Sequence, residues 1–233
     1  MDYQSLLELV KKRRSIRRFR PEHIPDEYVD KIIEVARRAP SAANSQPWEF
    51  IVVKKEELKR KIVQFIKEDR VISQKMELTR EPELRFSGLV SQVDRFGYED
   101  APVFIILGGD TRMIEAFPIH VILQRAQSNL DSSLANAFLY MHLAATALGL
   151  GAQWVSASRN QLVQCLVKEL LGIPKELQIY DMMAVGYPVT EPGPRVMRAK
   201  EELIHQDYYD RTKFRTAEKV KDFIVTLRRG WVG

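Results

Sequence analysis

Apolar positions along this chain change period several times, and each change marks an element. Leu6, Leu7 and Val10 recur at helical spacing within residues 2–13, and Ile32, Ile33 and Ala36 do so within 25–39 after an acidic Pro25-Asp26-Glu27 opening; both stretches are predicted as helices. A polar stretch, Pro40 to Gln46, then gives way to Pro47-Trp48-Glu49-Phe50 and the apolar Ile51-Val52-Val53, the start of a strand. Leu58, Ile62, Phe65 and Ile66 predict a third helix over 55–68. Residues 69–100 are charged and poorly periodic, with only Phe86, Leu89, Val90, Phe96 and Tyr98 able to pack. The unbroken run Pro102-Val103-Phe104-Ile105-Ile106-Leu107, closed by Gly108-Gly109-Asp110, predicts a central strand covered on both faces.

Beyond it, Pro118 breaks any helix within 112–129, and Asn129-Leu130-Asp131 opens a long one ending at Leu148. Apolar residues clothe nearly its whole circumference, which predicts burial in a core or an oligomer interface. Gly149 and Gly151 turn the chain into a strand over 153–156. Ser158 is the expected N-cap of a helix to Leu171, stopped by Gly172 and Pro174, and residues 178–188 form the last main strand. The tail carries a further helix with Val220, Phe223, Ile224 and Leu227.

With 233 residues and 45% apolar composition the chain can bury a full core. No run approaches the roughly 18 apolar residues that span a membrane. The opening Met1-Asp2-Tyr3-Gln4 is acidic and polar where a secretory signal is basic and then apolar. A single cysteine, Cys165, excludes an intrachain disulfide and fits a reducing compartment, so a cytoplasmic protein is expected. Cys165 itself sits among core positions and is expected to be a small buried hydrophobe, as His142 is expected to be a satisfied core histidine. The four histidines lack ligand spacing, and there is no C-x-x-C or G-x-S-x-G. Neither a metal site nor a catalytic triad can be drawn, and no side chain is nominated as catalytic. Gly149-Leu150-Gly151 has G-x-G without the third glycine and follows a helix, the reverse of a dinucleotide-binding turn.

Charge narrows the choice. The net charge is +5, and seven of the ten residues in Lys11-Lys12-Arg13-Arg14-Ser15-Ile16-Arg17-Arg18-Phe19-Arg20 are basic. A helix terminus needs one or two cations, a nucleic acid would meet a string of phosphates, and a single phosphate dianion needs two or three guanidinium groups and a hydroxyl. Ile16 and Phe19 interrupt the run and require burial, which holds Ser15 and Arg17 at fixed geometry and favours one defined anion. The loop between Pro40 and Pro47, stiffened at both ends, is either an ordinary connection or a grip on a polar planar ligand.

The order and spacing of Arg13-Arg14-Ser15-Ile16-Arg17-Arg18-Phe19, a helix closing in Ala39-Pro40-Ser41, and Asn44-Ser45-Gln46-Pro47-Trp48-Glu49-Phe50 resemble the nitroreductase family of FMN-dependent flavoproteins. The likeness spans roughly residues 10 to 205. It implies an α+β fold with a central, mostly antiparallel sheet flanked by helices, one FMN-binding domain over 1–205 with a variable lid insertion at about 69–100, and a C-terminal extension over 206–233. A solvated excursion at 69–100, and a tail helix packed on its own subunit rather than wrapping its partner, are the alternatives. Arg13, Ser15, Arg17 and Arg198, with Arg195 second to Arg198, would hold the FMN phosphate, and Arg14 ring or ribityl oxygens. Pro40, Ser41, Ala42 and Asn44 would face the flavin bound mainly by the other subunit of a homodimer. Val155, Ser156 and Ala157 would end a strand beside the ring, with backbone N–H groups of Ser156 and Ala157 near N5 and O4. The implied activity is ping-pong transfer from NADH or NADPH to a small acceptor such as a nitroaromatic or quinone, with neither nucleic acid nor membrane as partner. Rivals are reductive dehalogenation or oxygen-dependent flavin fragmentation on the same fold, and a non-catalytic flavin- or nucleic-acid-binding protein. The dehalogenases carry a different loop at 44–48 and a dedicated lid that has no match in 69–100.

Overall fold

In the computed structural model, which describes residues 2–86, 96–190, 192–193 and 195–229, the chain begins with α1 (Tyr3–Lys12), whose N-cap Asp2 accepts the Ser5 N–H at 2.7 Å. Then follow α2 (Asp26–Ala36), β1 (Trp48–Val53), α3 (Glu56–Glu77), β2 (Val103–Asp110), α4 (Ile119–Ala147), β3 (Gly151–Val155), α5 (Gln161–Leu171), β4 (Leu177–Gly186) and α6 (Ala217–Arg229). The strands form one antiparallel sheet in the order β1-β2-β4-β3. Seven of the eight residues of β2 are buried, as its unbroken apolar run requires. Each sheet face has its own core. Leu107, Ile105, Met183 and Val185 pack with α2 and α4, while Phe104, Ile106, Met182 and Ala184 pack with α3 and α5.

Several elements differ from the sequence expectation. The central helix starts at Ile119, ten residues before Asn129, because Pro118 stands at its N-cap with φ −58° and so precedes the helix instead of interrupting it. Phe117, Val121 and Ala126 make a small separate core there. Helix α3 continues to Glu77, since its charged second half needs only one packed face. Ser158 is not an N-cap: it lies in a 3-10 turn (Ser156–Arg159), its hydroxyl donates to the Val155 carbonyl, and α5 begins after Asn160. The buried stripe of α5 runs through Val163 and Val167, so Leu162 at its edge is exposed, and Cys165, expected to be a small buried hydrophobe, lies on the opposite side of the helix and is exposed. Gly149 and Gly172, at φ +74° and +66°, terminate α4 and α5 in the left-handed region. Leu139 is exposed on α4, so one apolar face of the long helix is open in the single chain.

The chain divides into two compact units, one of residues 1–69 and 95–192, the other of 70–94 and 193–233. In the second, the Lys221 ammonium on α6 pairs with Glu81 at 3.2 Å and Glu83 at 2.9 Å, and the Arg85 guanidinium donates to the Leu78 and Arg80 carbonyls. Leu89 and Val90 lie outside the described residues. Among the described residues no helix is long and apolar enough to cross a membrane.

Candidate functional site

The basic segment after α1 is laid along the sheet by its own backbone. The Ile16 N–H donates to the Ala152 carbonyl at 3.0 Å, Arg20 N–H to Tyr187 at 2.9 Å, and Val189 N–H to Arg18 at 3.1 Å. Ser15 pairs with Ala152 in a parallel bridge and Phe19 with Pro188 in an antiparallel one. Ile16 and Phe19 turn inward and are buried, while Ser15 and Arg17 turn out. Two glycines permit this close approach. A Cβ on Gly151 would lie 2.6 Å from Ile16 Cγ1, and one on Gly97 1.8 Å from the Arg17 carbonyl oxygen. Partial burial, and then the neighbouring Arg14 cation, push the Arg17 guanidinium below its ordinary pKa. The fold thus sets the Arg14 and Arg17 guanidinium groups near one another.

The loop between the prolines is held in a costly backbone conformation. Ala43, Asn44 and Gln46 have φ of +53°, +51° and +45°, and each non-glycine residue there costs on the order of 1–3 kcal/mol. Side chains of α4 fix it from below: the Ala42 N–H donates to Ser133 Oγ at 3.1 Å, and the Asn136 amide donates to the Pro40 carbonyl at 3.1 Å. Ser133 Oγ donates in turn to the Asn129 carbonyl, and Ser41 Oγ accepts the Gln46 N–H. Replacing Ser133 with alanine is expected to lower stability by about 1–2 kcal/mol, because the Ala42 N–H loses its acceptor inside the fold. Thermal unfolding at fixed protein concentration measures it, and an unchanged midpoint would show that the hydroxyl does not hold the loop.

The same helix reaches β3 two turns further on, six residues and about 9 Å from Asn136 to His142. At that strand's end Val155 is buried, Ser156 exposed and Ala157 half-buried. Beside them is a polar cluster that the sequence reading did not nominate. A bulge in β4, where Leu107 pairs with Asp181 and Gly108 with Ile179, leaves Tyr180 as the extra residue. It therefore turns both Tyr180 and Asp181 toward the α4 side. Asp181 accepts the Trp154 indole N–H at Oδ2, at 2.7 Å, while its Oδ1 has no hydrogen-bond partner. Burial lifts its pKa to about 6 despite that bond and the nearby Arg159. Arg159 bonds Asp131 of α4 at 3.0 Å and lies over the Tyr180 ring.

His142 stacks on the Trp154 indole and is buried, as expected, but neither of its nitrogens has a hydrogen-bond partner, so it is not a satisfied core histidine. Burial, then the Arg13 cation, lower its pKa to about 4. The available signal was Asp181 itself, a lone carboxylate inside the apolar run of β4.

The structure therefore brings the 13–17 segment together with β3, and the 40–46 loop together with α4. Arg195 and Arg198 belong to the second unit, where Arg195 is exposed and Arg198 Nε lies 3.5 Å from Glu202.

A four-stranded antiparallel sheet carrying a long central helix, with a basic segment bonded along its outer strand, defines an α+β protein of one recognisable kind. The Nitroreductase family profile matches residues 10–187, and the chain belongs to that family. It is 31% identical over 192 residues to a Methanothermobacter thermautotrophicus protein provisionally named NADH dehydrogenase/NAD(P)H nitroreductase, covering 82% of this chain and 81% of that one. It is 28% identical over 200 residues to an iodotyrosine deiodinase of Thermotoga neapolitana, covering 83% and 93%. Among solved structures, oxidized iodotyrosine deiodinase bound to FMN and 3-iodo-L-tyrosine superposes with a TM-score of 0.68 at 25% identity, over 88% of this chain and 100% of that one.

Proposed function

We propose that this protein is an FMN-dependent oxidoreductase that takes reducing equivalents from NADH or NADPH and delivers them to a small acceptor, a nitroaromatic or a quinone, in a ping-pong cycle. The observation that carries the reading is the basic segment of a nitroreductase-family chain bonded along β3, with Arg14 and Arg17 crowded on its outer side. That donor set fits a phosphate. Arg13, Ser15 and Arg17 would grip it with charge-assisted hydrogen bonds, joined by Arg198 or Arg195, while Arg14 would meet ring or ribityl oxygens. The strained Pro40–Asn44 loop would present Ser41, Ala42 and Asn44 to the flavin of the second subunit in a homodimer, and the exposed apolar face of α4 suits that association. Residues 206–233 would wrap the partner. At the end of β3, beside Val155, the Ser156 and Ala157 N–H groups would donate to N5 and O4. When bound, FMN supplies the two-electron chemistry, and the chain's own part is to position, to exclude water and to donate those bonds.

A second reading, reductive dehalogenation of a haloaromatic, is favoured by the relatives named iodotyrosine deiodinase. The two readings share the flavin and differ in the acceptor. The deciding experiment is an absorbance spectrum of the purified protein, followed anaerobically as NADH or NADPH is added, then reoxidation by a nitroaromatic or by 3-iodo-L-tyrosine. Flavin bands that bleach with a nucleotide and return with the nitroaromatic support the first reading. Bands refractory to both nucleotides, with deiodination under another reductant, support the second. Protein that cannot be loaded with FMN overturns both. Arg17→Ala is expected to weaken FMN binding about 10- to 100-fold, the loss of one or two charged hydrogen bonds. Fluorescence titration of the apoprotein reads it, and wild-type affinity in the variant would remove Arg17 from the phosphate site.

A further inference from the structure

The polar cluster between α4, β3 and β4 is built around one exposed ring. Trp154 is 41% exposed at the open side of β3, one residue before Val155. Behind it the ring is fully fitted, with Phe138 at 4.5 Å between ring centroids, His142 at 6.0 Å and nearly parallel, and Tyr180 at 6.2 Å. Its single polar atom is bonded to a carboxylate that is only 4% exposed. Burying a carboxylate against an apolar helix is unfavourable, and a bulge has to be introduced in β4 to deliver it. For packing alone an apolar residue would serve better. What Asp181 adds is direction. The indole can satisfy it in one ring orientation only, which fixes the exposed edge of Trp154 and with it the end of β3.

We propose that Asp181 is a positioning residue for the flavin site: through the Trp154 indole it orients the end of β3, so that the exposed ring and the adjoining Ser156 and Ala157 backbone meet the bound cofactor in one geometry. The proposal rests on the FMN reading above. Asp181 acts at a distance, since its carboxylate is buried behind the indole. The charged and titratable groups around it are Arg159 in the turn after β3, Asp131 and His142 on α4, and Tyr180 beside it on β4. Arg13, which acts on His142, connects the same cluster to the basic segment.

Three variants test it: Asp181→Asn, which keeps an acceptor for the indole, Asp181→Leu, which removes it, and Trp154→Phe, which removes the donor. FMN affinity by fluorescence titration and the visible circular dichroism of the bound flavin are the readouts, with far-ultraviolet dichroism verifying the fold. Asp181→Leu and Trp154→Phe are each expected to weaken FMN about tenfold, the equivalent of one charged hydrogen bond, and to change the flavin dichroism alike. The double variant should be no worse than either, and Asp181→Asn should rescue affinity. Proton-detected spectra of the indole N–H resonances, in the protein without flavin, should show the Trp154 signal titrating with a midpoint near pH 6, and not in Asp181→Asn. A wild type that cannot be loaded with FMN removes the flavin reading and this proposal with it. A wild type that loads FMN, beside an Asp181→Leu variant that is folded with the same affinity and dichroism, overturns this proposal alone.

Discussion

Replacing Gly97 with alanine is expected to destabilise the protein by about 3 kcal/mol, at the upper end for an added methyl group in a packed site. It is also expected to weaken flavin binding more than any other single-methyl change. The added carbon would lie 1.8 Å from the Arg17 carbonyl oxygen and 2.9 Å from its carbonyl carbon. Neither is the end of a flexible side chain; both are backbone, so relief requires the 13–20 segment or the Gly97–Asp100 turn to move. That segment is tied to β3 through Ile16 and to the end of β4 through Arg20, and a shift at Arg17 displaces Arg14 and Ser15 with it. The turn is anchored too: Lys59 of α3 donates to the Ala101 carbonyl at 2.8 Å, and Lys67 pairs with Glu99 at 2.9 Å. Thermal unfolding should fall by about 6–12 °C, taking roughly 2–4 °C per kcal/mol for a chain of this size. Gly149→Ala is the control. Its added carbon meets nothing within 4 Å but its φ is +74°, so it should lose about 1 kcal/mol to backbone strain and leave FMN affinity unchanged. Equal flavin affinity in Gly97→Ala and wild type would show that the basic segment does not need this seat.

Why a Cβ at Gly97 is intolerable illustrates what could be read from the sequence and what could not. Local signals were legible. The apolar run of β2, the glycines ending α4 and α5, the prolines bounding the 40–47 loop and the inward Ile16 and Phe19 each obey a rule of spacing or backbone sterics that acts over a few residues. The resemblance, carried by 13–19 and 40–50, supplied the antiparallel order that such rules do not reach. Contacts between distant stretches left no such trace. Nothing in residues 96–100 announces that Arg17 lies against Gly97, and nothing local tells that Ser133 accepts from Ala42, 91 residues away. Cys165 failed for a geometric reason: the buried stripe of α5 runs through Val163 and Val167, and a residue two positions from each lies about 160° round the helix from both, on the solvent side. His142 failed differently. Its burial followed from the apolar helix, but its satisfaction depended on partners that no periodicity specifies.

His142 and Asp181 together yield the last expectation, two buried groups whose opposite shifts nearly cancel in the pH dependence of stability. His142 has its pKa lowered by burial from 6.5 to about 4. Between those values the unfolded chain binds a proton that the folded one refuses, so this group's contribution to stability is lost as pH falls from 6.5 to 4. Asp181 has its pKa raised by burial from 3.8 to about 6. In that window the folded chain holds the extra proton, so stability is present at the acid end and lost as pH rises through 6. Each shift exceeds two pH units, about 3 kcal/mol at 1.36 kcal/mol per unit. The two nearly cancel between pH 4 and 6. Urea unfolding of wild type at fixed protein and flavin concentration should therefore show little net dependence from this pair. Asp181→Asn removes the opposing term, and between pH 7 and pH 4 the variant should lose about 3 kcal/mol relative to wild type. His142→Leu, apolar and close in volume, should do the reverse and gain a similar amount over the same interval. The exposed carboxylates that hydrogen bonds hold below their ordinary pKa, Asp26, Glu34 and Asp110 among them, titrate in all three proteins and drop out of the differences. Parallel curves for wild type and both variants would show that neither buried group changes its protonation on folding, and that the cluster is open to water in solution.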